Sequence, residues 1–213
     1  MATVASTRRQ VQVCIGQIGL PVGSLVYVRQ GRRENSAFAY DEGWLASPTR
    51  FSISADLPLG SGHQAHKAAS PVDSVFHGAI ADTAPDAWGR RVIARDHAKR
   101  RKADPKLPAL TELDYLLAVD DFSRVGALRL REPDGAWHRT VAEGRRNTPP
   151  LIELQRTFQA SRAVELGEET TEDLRYLQGK GTSLGGMRPK CTLVDEDGRL
   201  AIGKFPSVGD ARS

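Results

Sequence analysis

With 213 residues, 39% hydrophobic and 26% charged, the chain has the balance of a folded globular protein, far from the low-hydrophobicity, single-sign composition of disorder. That length can bury a sizeable core in one or two domains, no apolar run approaches the roughly 18 residues of a membrane span, and the polar, basic start lacks a signal-like apolar stretch. A net charge of +4 is too small to single out nucleic acid as a partner, and Cys14 and Cys191, far apart in apolar strand-like stretches, read as buried reduced thiols suited to the cytoplasm.

In chain order, residues 11–15, 23–29, 36–40 and 50–54 are β-rich runs separated by Gly, Pro and Asp-Glu-Gly punctuation, which predicts a small antiparallel sheet. Residues 60–69 (GSGHQAHKAA) are polar and small, hence a loop. His63 and His66 there have an interval open to metal ligands, but the sequence offers no third ligand nearby, so no metal site is expected. From Asp82 the period becomes helical. Asp82 or Thr83 can cap, Pro85 suits the first turn, and Trp88, Val92 and Ile93 recur at helical spacing. The basic run that follows, from Arg90 to Lys102, reads as a solvated face near the helix C-terminus.

Residues 111–119 (TELDYLLAV) predict a second short helix, with Leu113, Leu116 and Leu117 on one side. Residues 126–131 revert to strand alternation, Pro133-Asp134-Gly135 supplies a turn, and residues 136–140 can return as the partner strand. Thr148 caps a helix opened by Pro149-Pro150, with Leu151, Leu154 and Phe158 as its stripe. Thr170-Thr171 followed by Glu172-Asp173 starts another helix, ended by Gly179. Residues 190–195, an Asp197-Gly198 turn and residues 199–205 read as a β-hairpin.

The richest segment for chemistry is residues 179–205, GKGTSLGGMRPKCTLVDEDGRLAIGKF. A small-residue loop leads into a strand, a turn, and a second strand carrying Lys204. Glycines let backbone N–H groups approach phosphates, and a strand lysine neutralises phosphate charge. The segment meets neither the P-loop nor the GxGxxG kinase template, and Gly-rich turns between strands are common, so an ordinary edge-strand lysine is the competing reading.

SLGGMRPK (residues 183–190) followed by DGRLAIGKFPS (197–207) resembles the phosphate-loop and ATP-lysine signature of HipA-family serine/threonine kinases, the toxins of toxin–antitoxin pairs. APDAWGRRVIAR (84–95) resembles the family's PDxWGRR helix, and YLLAVDDFSRVGAL (115–128) its LLGVxDxxRxGAL segment. The resemblance implies that Gly185, Gly186, Met187, Arg188, Pro189 and Lys190 form the loop contacting ATP phosphates and that Lys204 is the strand lysine. It implies that Ser183 is the autophosphorylated serine whose modification expels the loop, and a phosphate there would repel ATP phosphates. A turn serine bonding its own backbone is the alternative. Pro189 has no N–H to offer a phosphate.

Mg²⁺ ligands and the carboxylate that attends the attacking hydroxyl normally follow the lysine, so they are expected outside this chain. Asp121-Phe122-Ser123 and Arg95-Asp96-His97 imitate kinase triplets but precede the loop, in the wrong order. The expected fold class is α+β: an antiparallel β subdomain (1–59), a mixed α/β subdomain (60–167), and the start of a kinase domain (168–213) with a Gly-rich loop and β-hairpin. By the same resemblance the expected partners are a HipB-like DNA-binding antitoxin, through which DNA is mainly met, and a protein substrate such as an aminoacyl-tRNA synthetase. ATP and Mg²⁺ are the expected cofactors. A catalytically dead module that sequesters an antitoxin or kinase partner is the alternative function.

Overall fold

The computed structural model describes residues 6–68, 70, 73–121, 124–138, 153–178 and 186–210. The fold is α+β, and the chain divides into two compact units that interleave along the sequence: Met1–Thr83, Thr111–Leu113 and Arg124–His138 in the first, and Ala84–Leu110, Asp114–Ser123 and Arg139–Ser213 in the second.

The first unit is built on a five-stranded antiparallel sheet ordered β4-β3-β2-β1-β5. Its strands are β1 (Ser6–Ile15), β2 (Leu20–Gln30), β3 (Arg33–Tyr40), β4 (Gln64–Ala65) and β5 (Leu128–Arg131). Period-2 alternation sends Val11 and Val13 of β1 inward, opposite Leu25 and Gly23 of β2. A register shift after Val13 then brings Cys14 against Pro21, which has no N–H for the ladder. At the β1–β2 turn, Gly19 has φ +72°, and a Cβ there would lie 2.4 Å from the Trp137 ring, so glycine is required twice over. Trp137 itself lies under the guanidinium of Arg129, 3.8 Å from the ring centroid. Its backbone forms a single bridge to Arg131, so the expected return strand is reduced to one pairing among the described residues.

Residues 50–54 do not form the strand their composition predicts. Their polar groups find local partners instead: the Ile53 N–H donates to the Tyr40 hydroxyl, and Ser52 Oγ donates to the carbonyl of Leu57. Tyr40 in turn donates to Leu57 O at 2.7 Å, tying this loop to the sheet. Two short helices that composition did not signal flank it: α1 (Glu42–Ala46), capped by Asp41, and α2 (Gly78–Ala81). Tyr27, Phe38, Trp44, Leu57, Phe76 and Ile80 are buried in this unit.

In the second unit the long helix α3 (Ala87–Ala103) packs Trp88 and Val92 against Ala160 and Val164 of α5 (Leu154–Leu166) and Leu174 and Leu177 of α6 (Thr171–Leu177). The expected cap of α3 is displaced: Asp82 ends α2, and Asp86 is the N-cap, its Oδ1 accepting from the Gly89 N–H at 2.7 Å. Thr170 and Asp173 cap α6 reciprocally, as the sequence predicts. Helix α4 (Glu112–Ala118) buries Leu113, Leu116 and Leu117. The expected Thr148 cap and the Pro149-Pro150 opening lie outside the described residues, as does Gly179.

The basic stripe of α3 is only partly a solvated face. Arg95 Nη1 reaches both carboxylate oxygens of the buried Glu169, at 3.0 and 2.9 Å, and Lys99 Nζ bonds the Glu169 carbonyl. Arg91 Nη2 donates to the last-turn carbonyls of Val164 and Glu165. Arg100, Arg101 and Lys102 remain exposed.

Candidate functional site

Strands β6 (Lys190–Val194) and β7 (Leu200–Lys204) form an antiparallel hairpin in which Lys190 stands directly opposite Lys204. The Asp-Gly turn read from the sequence closes it: Gly198 has φ +80°, and Asp195 Oδ1 accepts from the Arg199 N–H at 2.7 Å. β6 is buried along its whole length, whereas β7 alternates and leaves Lys204 exposed. Cys191, Leu193 and Phe205 pack against Leu154 and Phe158, the two phenyl rings 5.4 Å apart, and this small core holds the hairpin on α5.

The turn before β6 is fixed by Gly186, whose φ is +101° and where a Cβ would lie 3.0 Å from Lys190 Nζ. Its carbonyl accepts from the Trp88 N–H in the first turn of α3 at 3.3 Å. Lys190 Nζ donates to Asp86 Oδ2 at 3.1 Å, with only 4% and 6% of the two side chains exposed. Asp86 therefore caps α3 with one oxygen and neutralises Lys190 with the other. Without that carboxylate a buried ammonium would face Lys204 across the hairpin, a costly arrangement.

Gly186, Met187, Arg188, Lys190, Lys204, Phe205, Pro206 and Asp210 line an open groove of about 530 Å³. Arg188 extends over it and pairs with Asp210 at 3.1 Å, while the other Asp210 oxygen accepts from the Ser207 N–H. Among the described residues Lys204 makes no ion pair. Pro189 is buried behind the groove and uses its carbonyl to accept from the Phe205 N–H at 2.9 Å. Ser183 and Gly185 lie outside the described residues.

The groove thus brings together Gly186, Met187, Arg188, Lys190 and Lys204 from the sequence reading, and adds Asp86 and Asp210 as the carboxylates that hold two of them. An Asp immediately before the apolar period of α3 was the available signal for Asp86, and Pro85 drew the expected cap upstream. Arg95, of the Arg95-Asp96-His97 triplet, is engaged by Glu169. In the first unit, His66 meets Asp56 and His77 rather than His63.

The family model described as the HipA N-terminal domain matches residues 13–131, more than half of the chain. No curated protein matches it. The matched span contains the PDAWGRR and LLAVDDFSRVGAL segments, and the groove lies C-terminal to it. Among the described residues no helix is long and apolar enough to cross a membrane. The chain belongs to the HipA family, matched through that family's N-terminal domain.

Proposed function

We propose that the chain is the front part of a HipA-like protein kinase and that the groove on its β6–β7 hairpin receives the phosphates of ATP. The observation that carries this reading is the exposed ammonium of Lys204, which makes no ion pair among the described residues, on the same groove as the glycine turn at Gly186. In this reading Lys204 takes the role of the strand lysine and offsets phosphate charge, while the Gly186 turn allows close backbone approach. Lys190 is enclosed and its charge is neutralised by Asp86, so in this reading it supports the turn rather than contacting a phosphate directly. Arg188 reaches a phosphate only on leaving Asp210, an exchange of one anion for another.

Mg²⁺ would supply further positive charge to offset the phosphates, and in this reading its ligands and the catalytic carboxylates come from residues other than those described. Ser183, three residues before Gly186, is the proposed regulatory site, where an added phosphate would repel the nucleotide. The proposed setting is a cytoplasmic toxin–antitoxin pair, with a HipB-like antitoxin contacting DNA and a protein serine or threonine as substrate, an aminoacyl-tRNA synthetase being one candidate.

Equilibrium binding of a fluorescent ATP analogue to the chain tests the reading. Binding should be weak, salt-sensitive and lost in Lys204→Ala. Binding equal in Lys204→Ala and the parent would set this role of Lys204 aside.

A further inference from the structure

Three segments of the first unit converge on a group of chemically complementary side chains. β4 pairs Ala65 with Ala37, and the His66 N–H continues the ladder by donating to Ser36 O at 3.0 Å, which places the imidazole just past the sheet edge. Asp56 sits in the loop tied down by Tyr40 and Ser52. His77 is the N-cap residue of α2 and is 2% exposed. One ligand atom from each of Asp56, His66 and His77 lies within 4.8 Å of the other two.

We propose that Asp56, His66 and His77 form a binding site for a zinc-type divalent transition-metal ion.

Four observations point to a ligand rather than to a self-contained hydrogen-bond cluster. First, His66 Nε2 lies 3.0 Å from the Ser74 carbonyl and acts as its donor, which leaves Nδ1 as the lone-pair nitrogen, turned toward Asp56. Metal-bound histidines are oriented in this way, by donating the other ring N–H to a carbonyl. Second, His77 Nδ1 is buried with no hydrogen-bond partner among the described residues, a cost the fold carries unless something occupies the site. Third, Asp56 Oδ2 and His66 Nδ1 are 3.6 Å apart, close to the ~3.4 Å between two ligands bound ~2.1 Å from a tetrahedral ion. Fourth, the two rings are inclined at 65° with centroids 5.0 Å apart, so two ring nitrogens can converge without stacking.

Two imidazoles and one carboxylate select a borderline ion such as zinc over Mg²⁺ or Ca²⁺, which prefer all-oxygen shells. The Asp56 side chain is 43% exposed, which gives the ion an entry path and leaves a fourth position facing solvent. Bound there, the ion would fasten the 50–59 loop, the short edge strand β4 and the start of α2 to one point.

The test is a calorimetric titration of the chelator-treated chain with zinc, paired with the visible spectrum of its cobalt(II) form. One equivalent should bind. Affinity should fall more than about tenfold in each of Asp56→Ala, His66→Ala and His77→Ala, and stay at the parental level in His63→Ala. The cobalt spectrum should have the intensity of a four- or five-coordinate nitrogen–oxygen site and no thiolate charge-transfer band. Circular dichroism checks that each variant folds. Should His77→Ala fail to fold, the cobalt spectrum of the parent and the Asp56→Asn titration decide. Absence of saturable one-to-one zinc binding by the parent would overturn the site. So would a thiolate band, or equal affinity in His77→Ala, because each would place the metal elsewhere.

Discussion

Asp86 and Lys190, 104 residues apart in the chain, form an ion pair 3.1 Å long whose side chains are only 6% and 4% exposed. It joins the first turn of α3 to the first residue of β6, two of the segments by which the sequence resembles its family. Because Asp86 also caps α3, the two contributions can be separated by substitution.

Asp86→Ala removes both the cap and a counter-charge of Lys190 and should destabilise the chain by about 3–5 kcal/mol, the range for breaking a buried ion pair by removing one partner. Asp86→Asn keeps an oxygen able to cap and should cost less. Combining Asp86→Asn with Lys190→Met should recover part of the loss, since the buried ammonium is then removed together with its counter-charge. Urea denaturation of the three variants checks the order.

On the outer part of α3, Glu169→Ala strands Arg95 and should cost about 1–2 kcal/mol, a figure reduced because a third of the Arg95 side chain is in water. Arg101→Ala, at an exposed position, should change stability by no more than about 0.5 kcal/mol. Chemical denaturation of the two variants side by side would separate the structural arginine from the solvated one.

Burial, then donation to Glu153 Oε2 at 2.7 Å, raises the Tyr176 hydroxyl above its ordinary value of 10.0. The unfolded chain therefore ionises this tyrosine first. Its contribution to stability is full below pH 10.0 and is lost as pH rises through the higher folded value. Tyr176→Phe should be less stable than the parent at pH 8, and the gap should narrow above pH 10. Thermal unfolding as a function of pH measures it; a constant gap would contradict the assignment.

What could be read in advance follows the range of the interactions. The β6–β7 hairpin was legible because its turn signal, Asp197-Gly198, is local, and the capping box of α6 was legible because Thr170 and Asp173 lie three residues apart. Residues 50–54 misled because β-rich composition describes a tendency, and here the Tyr40 hydroxyl accepts from the Ile53 N–H and the Ser52 hydroxyl donates to the Ser54 carbonyl, partners that a strand would otherwise have supplied. α1 and α2 are too short to carry a period. The groove residues were named from a contiguous motif. Asp86 escaped because its partner is 104 residues away, and the two neighbours of His66 escaped because Asp56 and His77 come from other segments.

The central claim is that the groove at Gly186 and Lys204 takes nucleotide phosphate. Backbone amide NMR of the chain, titrated separately with ATP and with adenosine, tests it most directly. The account predicts saturable shifts at Gly186, Met187, Arg188 and Lys204 with ATP, little change there with adenosine, and loss of the ATP response in Lys204→Ala. ATP-induced shifts confined to other residues, or the same response to adenosine as to ATP, would contradict it.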